Sequence, residues 1–486
     1  MIKRITCILL TTFFLVMPFA EAAASSPPTE SYTYDHWDEY VPTPLPYVPY
    51  QKLSGITLGI GAFSRPADMF VCSDGSIFIV DAGNNRLVHL NSDFTLNQII
   101  DSFSNEGRRD TFSAPQGISV TEDGNIYVAD TGNNRVVAFT PDGEMFQLID
   151  ELPEVADTVS GFIPQKVTVG SDGRVYVIAQ NIFQGILCYT PESEFIAFFG
   201  KIDVNVSPWD WVWRLLSTQE QRSRQRLFIP MEFNNMDMDY RGFLFTTNID
   251  TTNQQKIKRL NPAGSDILGE MITNRGKTPL IGDTFYPLRG AGSGPSLFVD
   301  VKARSSGMYS ALDVTRCRVF TYDSEGNLLY VFGGIGHIEG LLIRPVALDV
   351  IDDKILIMDQ LRGDIVIYQE TEYGRAINLA VQARYEGREQ DAVMYWRQVM
   401  HMDAHYELAY AGIGKSLLAS GRNVEAMEYL RIGNEPRYYS IALRRYRTEV
   451  MKEYSGFMFS FIVLSAIGIV VYRIVKKPKN GEPQDA

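Results

Sequence analysis

The chain has 486 residues, enough for two or three domains, and its 45% hydrophobic and 21% charged residues are those of an ordinary globular protein with a buried core. The formal net charge is −13. An acidic protein is a poor binder of polyanions, so the composition argues against a nucleic-acid partner.

The first 24 residues have the pattern of a secretory signal. Lys3 and Arg4 precede the apolar run Ile5–Phe19, and small residues suited to cleavage follow at 20–24. This order predicts that the rest of the chain is exported, in the manner of a bacterial cell-surface protein. Three scattered cysteines remain, Cys72, Cys188 and Cys317. An odd set of this kind predicts small core hydrophobes rather than disulfides or a cysteine-based metal site.

Residues 25–52 are rich in aromatic residues, acids and proline. We expect this segment to wrap around the domain that follows. The alternative is that it presents a strand to a partner.

Residues 53–370 contain an internal repeat. Two stretches, Pro66–Val88 and Pro115–Val137, lie 49 residues apart and read almost identically. Each has a proline followed by three strand-like runs, which an Asp-Gly turn and an Asn-Asn turn separate. Most copies add a fourth strand. Six copies begin near Pro66, Pro115, Pro164, Pro230, Pro295 and Pro345. This length and strand pattern predict a mainly β protein built as a six-bladed β-propeller.

The copies resemble NHL repeats over about residues 53–370. The likeness rests on the motif Asp-x-Gly-Asn-Asn-Arg in copies one and two and on Gly59 seven residues before Pro66. It implies a propeller whose repeated aspartates and arginines link turns and neighbouring blades, at Asp81, Arg86, Asp130, Arg135, Asp313 and Arg318. We interpret these residues as structural, with ligand binding by the arginines as the alternative. Copies three and four lack the pair, and Asp364 replaces the arginine in copy six.

The sixth copy lacks a fourth strand, because the chain becomes helical after Tyr368. The first copy has a spare strand-like stretch at about Ile56–Ile60. Pairing this stretch with the sixth blade would close the ring and remove an exposed sheet edge.

The insertion between copies three and four contains a helix predicted over residues 207–226, which starts at the Ser207-Pro208 pair. Tryptophan and arginine are frequent in protein interfaces and at membrane surfaces. The candidate docking residues are therefore Trp209, Trp211, Trp213, Leu216 and Arg222. The alternative is a helix that caps the propeller's own rim.

Residues 371–454 are predicted to form a helical stalk. The segment 387–396 is echoed by 421–430, an offset of 34 residues, which is the tetratricopeptide period. The segment resembles about two such repeats. Two units rarely stand alone, so we expect packing on the propeller, on the membrane helix or on another protein.

Residues 455–475 are predicted to form a single transmembrane helix, because positions 456–472 carry no charge. A buried core helix is the alternative. The signal orients the chain: residues 25 to about 454 are expected outside, and the basic tail 476–486 in the cytosol.

Catalysis has little support in the sequence. Some six-bladed propellers are lactonases or lyases with a calcium or zinc ion on the axis, but a zinc lyase of the NHL type needs a histidine cluster, and the propeller region offers His89 and His337. A count of Asp, Glu and Asn residues does not exclude a calcium site, but it does not show which of them face the axis. No catalytic residue and no cofactor is therefore assigned. The expected function is that of a recognition or scaffold subunit of a membrane assembly, with a membrane or cell-surface protein as partner and a transporter accessory as its most specific form. The alternative is a calcium-dependent lactonase- or lyase-like enzyme.

Overall fold

The computed structural model describes residues 31–154, 156, 161–200, 232–248, 256–269, 281–283 and 286–476. The expected signal, the predicted helix 207–226 and residues 477–486 of the tail lie outside this set. The chain divides into two compact units, Met1–Asn378 and Leu379–Ala486.

The first unit is a ring of antiparallel sheets, and its strands follow one another along the chain. The N-terminal strands are β1 (Tyr32–Tyr34), β2 (Tyr40–Pro42) and β3 (Tyr47–Ser54). Blade one consists of β4 (Asp68–Val71), β5 (Ile77–Asp81), β6 (Arg86–Leu90) and β7 (Leu96–Ile100). A separate hairpin follows, β8 (Ser102–Asn105) and β9 (Arg108–Thr111). Blade two consists of β10 (Gly117–Val120), β11 (Ile126–Asp130), β12 (Arg135–Phe139) and β13 (Met145–Ile149).

The remaining blades repeat this order. Blade three consists of β14 (Pro164–Val169), β15 (Val175–Ala179), β16 (Ile186–Tyr189) and β17 (Phe195–Phe199). The described strands of blade four are β18 (Phe233–Met238), β19 (Leu244–Asn248) and β20 (Ile257–Leu260). Blade five contains β21 (Phe298–Ala303), β22 (Tyr309–Asp313), β23 (Arg318–Tyr322) and β24 (Leu328–Gly333). Blade six contains β25 (Pro345–Ile351), β26 (Lys354–Asp359) and β27 (Asp364–Glu370).

The six first strands form a closed ring. Each of β4, β10, β14, β18, β21 and β25 contacts the first strand of the next blade, and β25 returns to β4. The first strand of every blade is therefore the innermost one, and the fold is the expected six-bladed propeller. The spaces between blades are filled by apolar side chains. Between blades six and one this cluster includes Leu53, Ile79, Val88, Leu356 and Ile367.

The N-terminal strands complete two neighbouring blades. Strand β3 pairs antiparallel with β27, from Tyr47 opposite Glu370 to Ser54 opposite Asp364, and supplies the fourth strand of blade six. Strand β1 pairs with β24 and β2 with β1, so blade five has six strands. Chain segments more than 300 residues apart thus share one sheet.

The closing strand is not the one that the sequence indicated. Residues 56–60 form a turn, and Gly59 and Gly61 adopt positive φ values of 74° and 79° that end extended structure there. The strand lies earlier, in a run that contains Pro49. A proline is tolerated because it sits beside a register shift between Ile367 and Tyr368 of the partner strand.

The helical part begins with α1 (Glu372–Tyr385), which runs across the division between the two units. It is followed by α2 (Glu389–Met402), α3 (Glu407–Ala419), α4 (Asn423–Ile432) and α5 (Pro436–Val475). Helices α2 to α5 pack in sequential pairs. A Cβ on Gly412 would lie 2.4 Å from Trp396 Nε1, and one on Gly414 would lie 2.5 Å from Leu430 Cγ. Small residues therefore meet large ones where these helices pack, and Trp396, Gly414 and Leu430 are positions of the 34-residue period.

Helix α5 is long and apolar enough to cross a membrane. Its most apolar 18 residues have a mean hydropathy of 2.2, and none of them is buried. The helix begins at Pro436, so the end of the predicted stalk and the predicted membrane span are one continuous helix of 40 residues.

The two assignments of the closing strand make opposite predictions. Leu53→Ala removes a side chain that is 4% exposed in the core between blades six and one, and should lower the free energy of unfolding by about 2–4 kcal/mol. Ile56→Ala changes a side chain that is 72% exposed and should cost less than about 0.5 kcal/mol. Urea unfolding of the whole chain in detergent, followed by β-sheet circular dichroism, measures both. A larger loss for Ile56→Ala would contradict the assignment of β3.

Candidate functional site: the propeller axis

The cross-strand register shows which inner-strand residues are equivalent. Six positions pair in the same way with the second strand of their blade: Asp68, Gly117, Lys166, Asn235, Asp300 and Ala347. Two residues later a second set of equivalents follows: Phe70, Ser119, Thr168, Asp237, Lys302 and Asp349. Alternate residues of a strand share a face, so each blade presents one residue of each set to the same side. Most of these residues line a small cavity at the centre of the ring. We call them the first and second axial rings.

Carboxylates of the axial rings connect neighbouring blades. The innermost strand of a blade has no strand on its inner side, so its N–H groups need other acceptors. Aspartates of the preceding blade provide them, and the bonds are Ile118 N–H to Asp68 (3.1 Å), Ala303 N–H to Asp237 (2.8 Å), Leu348 N–H to Asp300 (2.5 Å) and Val71 N–H to Asp349 (2.8 Å). Four of the six joints are thus bridged at the axis.

Two lysines neutralise part of this charge. Lys166 Nζ lies 2.7 Å from Asp68 Oδ1 and connects blade three to blade one. Lys302 Nζ lies 3.1 Å from Asp349 and 3.4 Å from Asp237, which places one ammonium between the carboxylates of the two adjacent blades. Each ring therefore contains two aspartates and one lysine.

Gly117 and Ala347 complete the first ring, and blades two and three approach closely at Gly117. A Cβ on Gly117 would lie 2.7 Å from the carbonyl oxygen of Gln165 and 2.8 Å from Lys166 Cα. A larger residue at this position would push blades two and three apart.

Burial controls the protonation of the axial carboxylates. It raises the pKa of Asp300 well above its ordinary value, and the nearby Lys166 offsets only part of the effect. Burial also raises the pKa of Asp349 to about 6, although Lys302 opposes the shift, and it raises the pKa of Asp237. For Lys302, burial lowers the pKa, but Asp237 and Asp349 outweigh it and the pKa is raised overall.

The predicted repeat positions lie at the turns between second and third strands, away from the axial rings. Asp81 accepts hydrogen bonds from Ser64 N–H (2.8 Å) and Arg86 Nε (2.8 Å). Asp130 accepts the equivalent bonds from Ser113 N–H (2.7 Å) and Arg135 Nε (2.9 Å). Each aspartate thereby fastens the loop that leads into its own blade.

The arginines extend these links to other segments. Arg135 donates to both oxygens of Asp110 in the hairpin β8–β9, at 2.8 and 3.0 Å, and these hydrogen bonds lower the pKa of Asp110 to about 2. Arg318 stands opposite Asp313 in the register and donates to the hydroxyl of Tyr32 in β1 at 3.0 Å. The candidate docking residues Trp209, Trp211, Trp213, Leu216 and Arg222 lie outside the described residues.

The family model of the NHL repeat matches residues 112–139, which are β10 to β12 and the loop before them. Blade two of this six-bladed propeller therefore contains an NHL repeat. No curated protein matches the chain in a sequence comparison.

Solved structures resemble the NHL propeller at low identity. Virginiamycin B lyase from Staphylococcus aureus is 14% identical, with a TM-score of 0.41 over 66% of this chain and 99% of that one. A streptogramin B lyase is 13% identical, with a TM-score of 0.38 over 71% and 95% of the two chains. A putative gluconolactonase is 11% identical, with a TM-score of 0.36 over 64% and 89%. At these values the likeness says nothing about the activity of this chain.

Sequence reasoning did not find the axial rings. The sequence contains a pattern that marks part of them. The polar residues stand two and four positions after the repeat proline in an otherwise apolar strand, as Asp68 does after Pro66. Counting from the repeat proline fails in blades four and five. There the strand register puts Phe233 and Phe298 where the other blades have their proline, three residues after the prolines 230 and 295. Only the paired strands identify the equivalent residues there.

The cavity among the axial residues of the NHL propeller is small. The space that the centre of a water molecule can occupy in it is about 30 Å³, which is room for about two waters. Calcium does not fit the surroundings, because the axial carboxylates already accept hydrogen bonds from N–H groups and two ammonium groups lie among them. Within the described ranges, no group of three or more His, Cys, Asp or Glu side chains converges as a metal site requires.

The raised pKa of Asp349 gives the NHL propeller a defined pH dependence. The Asp349 carboxyl keeps its proton up to about pH 6 in the folded chain but releases it near pH 4 in the unfolded chain. The contribution of this proton to stability is therefore fully present below about pH 4 and is lost as the pH rises through 6. The wild-type free energy of unfolding minus that of Asp349→Asn should fall by about 2–3 kcal/mol between pH 4 and 7. Urea unfolding across this range measures it.

The matched control is Asp142→Asn, at an exposed turn of blade two, which should leave the pH profile of the wild type unchanged. A difference between wild type and Asp349→Asn that grows with rising pH would contradict the raised pKa.

Proposed function

We propose that the protein is a membrane-anchored recognition or scaffold subunit of a membrane assembly, with its NHL propeller on the outer side of the membrane. The observation that carries the proposal is the use of the axial side chains. The aspartates there accept hydrogen bonds from the next blade and two lysines lie among them, so these polar groups are engaged in holding blades together. We therefore assign recognition to the other surfaces of the protein.

The flanks of α5 support the anchor. Tyr454 and Tyr472 are 18 residues apart, about 27 Å along a helix, which is close to the thickness of a hydrocarbon core. Tyrosine is enriched at both membrane interfaces. Tyr472 also accepts a hydrogen bond from Lys476 Nζ at 2.7 Å, which joins an aromatic and a basic interfacial residue at the end of the helix.

The helical repeats support a role in assembly. Helices α1 to α4 resemble two tetratricopeptide units over about residues 375–435, and α4 leads into α5. Met394 on α2 and Val424 on α4 are 48% and 59% exposed, so the units keep apolar surface for further contacts. The helix predicted at 207–226, with its three tryptophans, is the second proposed contact. A transporter accessory is the most specific form of this role.

The alternative function is a metal-dependent hydrolase or lyase. No cluster of side chains in the described residues favours it, and metal analysis of the purified chain decides it. Stoichiometric calcium, with a thermal shift that a chelator reverses, would replace the scaffold proposal with the enzyme.

The proposed orientation is tested by cysteine labelling in intact cells. A membrane-impermeant maleimide should label Asp142→Cys in the propeller without lysis, and Lys479→Cys in the tail only after lysis. The wild type provides the background, because Cys188 and Cys317 are buried and Cys72 is half-buried. The reverse pattern would place the propeller in the cytosol.

The proposed contact is tested by crosslinking in native membranes. A specific adduct of defined mass should form with the wild-type chain and be lost in Trp209→Ala/Trp211→Ala/Trp213→Ala. Trp37→Ala is the matched control, since this side chain is 78% exposed at another place on the propeller, and should keep the adduct. An adduct that survives the triple substitution would rule out the tryptophan helix as the docking element.

A further inference from the structure

The six joints between neighbouring blades are held unequally. Four of them have an axial hydrogen bond, from an inner-strand N–H to an aspartate of the preceding blade. Blade two has no axial carboxylate, but its inner strand touches that of blade three, because a Cβ on Gly117 would lie 2.8 Å from Lys166 Cα. Five joints are thus fastened along their inner strands.

The joint between blades three and four lacks this fastening among the described residues, and the axial residues show why. Those of blade three are Lys166 and Thr168, and neither is a carboxylate. The ammonium of Lys166 is bonded to Asp68 of blade one, at 2.7 Å. Blade three therefore presents no carboxylate to the inner strand of blade four.

Blade four satisfies its inner strand with its own side chains. The N–H of Met236 donates to Asn235 Oδ1 at 2.6 Å, and the N–H of Met238 donates to the carboxylate of Asp237. Asn235 Nδ2 donates to Asp300 of blade five at 2.6 Å. These polar groups are thus used within blade four or towards blade five.

The apolar contact across this joint is also small. Among the described residues, the cluster between blades three and four has eight buried side chains, whereas the clusters at four other joints have thirteen or fourteen. Burial of apolar surface is the main attraction between packed sheets, so less of it holds these two blades together. A hydrogen bond from the N–H of Asn181 to Glu232 (3.0 Å) links them at the segment that leads into β18.

We propose that the ring opens reversibly between blades three and four while its other joints stay closed. Local opening is expected where few apolar side chains are buried and few hydrogen bonds cross a joint. The closure of the ring is held more firmly. Strand β3 pairs with β27 along its length, and across the joint between blades six and one Val71 N–H donates to Asp349 (2.8 Å) and Gln360 Nε2 to the carbonyl of Pro66 (3.2 Å). The inference goes beyond the proposed function and does not depend on it.

The natural Cys188 reports this opening. It lies on β16, is 3% exposed and belongs to the cluster between blades three and four. The strand register places Ala138 and Ile367 at the equivalent position of blades two and six. Both are buried, Ala138 in the cluster with blade three and Ile367 in the cluster with blade one. A thiol at each of these positions therefore reports on a different joint.

The test treats the whole chain in detergent with N-ethylmaleimide and follows each thiol by mass spectrometry of its peptide. Cys188 of the wild type should react at least about tenfold faster than the new thiols of Ala138→Cys and Ile367→Cys. Below the unfolding transition, urea should change the rate at Cys188 little, because a local opening exposes little surface. The rates at the other two positions should rise steeply with urea, as global unfolding does.

Two substitutions connect the rate to the joint. Glu232→Ala removes the hydrogen bond to Asn181 and should speed the reaction of Cys188 about three- to tenfold. Gln360→Ala is the matched control, since it removes a hydrogen bond of the same kind between blades six and one, and should leave the rate at Cys188 unchanged.

Four results would overturn the inference. Equal rates at the three positions mean that the ring opens only as a whole, and a fastest reaction at Ile367→Cys places the opening at the closing blade. A fast reaction of Cys188 that Glu232→Ala does not change reports fraying of β17 rather than opening of the joint. In the wild type alone, a Cys188 rate that follows global unfolding by circular dichroism at every urea concentration contradicts a local opening.

Discussion

The structure depends on how six inner strands satisfy their backbone at the centre of a ring. Each of these strands has a partner strand on its outer side only, and the N–H groups on its inner side are buried too deeply to rely on bulk water. Asp68, Asp237, Asp300 and Asp349 accept hydrogen bonds from the N–H groups of the next blade. The same side chains would be costly to bury alone, and the hydrogen bonds with two lysines compensate. The polar side chains at the axis therefore help to fix the position of each blade relative to the next.

This solution has a consequence for function. Side chains that bridge blades have little freedom to bind a ligand. The conflict is visible at Lys302, whose ammonium lies between Asp237 and Asp349, where a cation site would need free carboxylate oxygens. The proposed scaffold role therefore assigns recognition to the outer surface, the inserted segments or the helices.

The second constraint is closure. The sixth blade has three strands from its own repeat, and β3 from the N-terminal segment supplies the fourth, so the ring is held by pairing between residues 47–54 and 364–370. Strands β1 and β2 extend blade five in the same way. At the other end, α5 combines packing on α4 with a long apolar stretch in one uninterrupted helix.

Local sequence determined the repeat, its blade number and the apolar helix, because Asp-Gly and Asn-Asn turns, short β-branched strands and a long uncharged run are each defined within a few residues. It also determined the pairing of Asp81 with Arg86 and of Asp130 with Arg135, five residues apart across one turn. It did not determine the closing strand: the stretch at 56–60 forms a turn with Gly59 and Gly61 at positive φ, and β3 is defined by a partner strand more than 300 residues away. The axial rings were likewise decided by tertiary structure alone. Which polar side chains face the axis depends on a register that the insertions shift by three residues, and only paired strands fix that register.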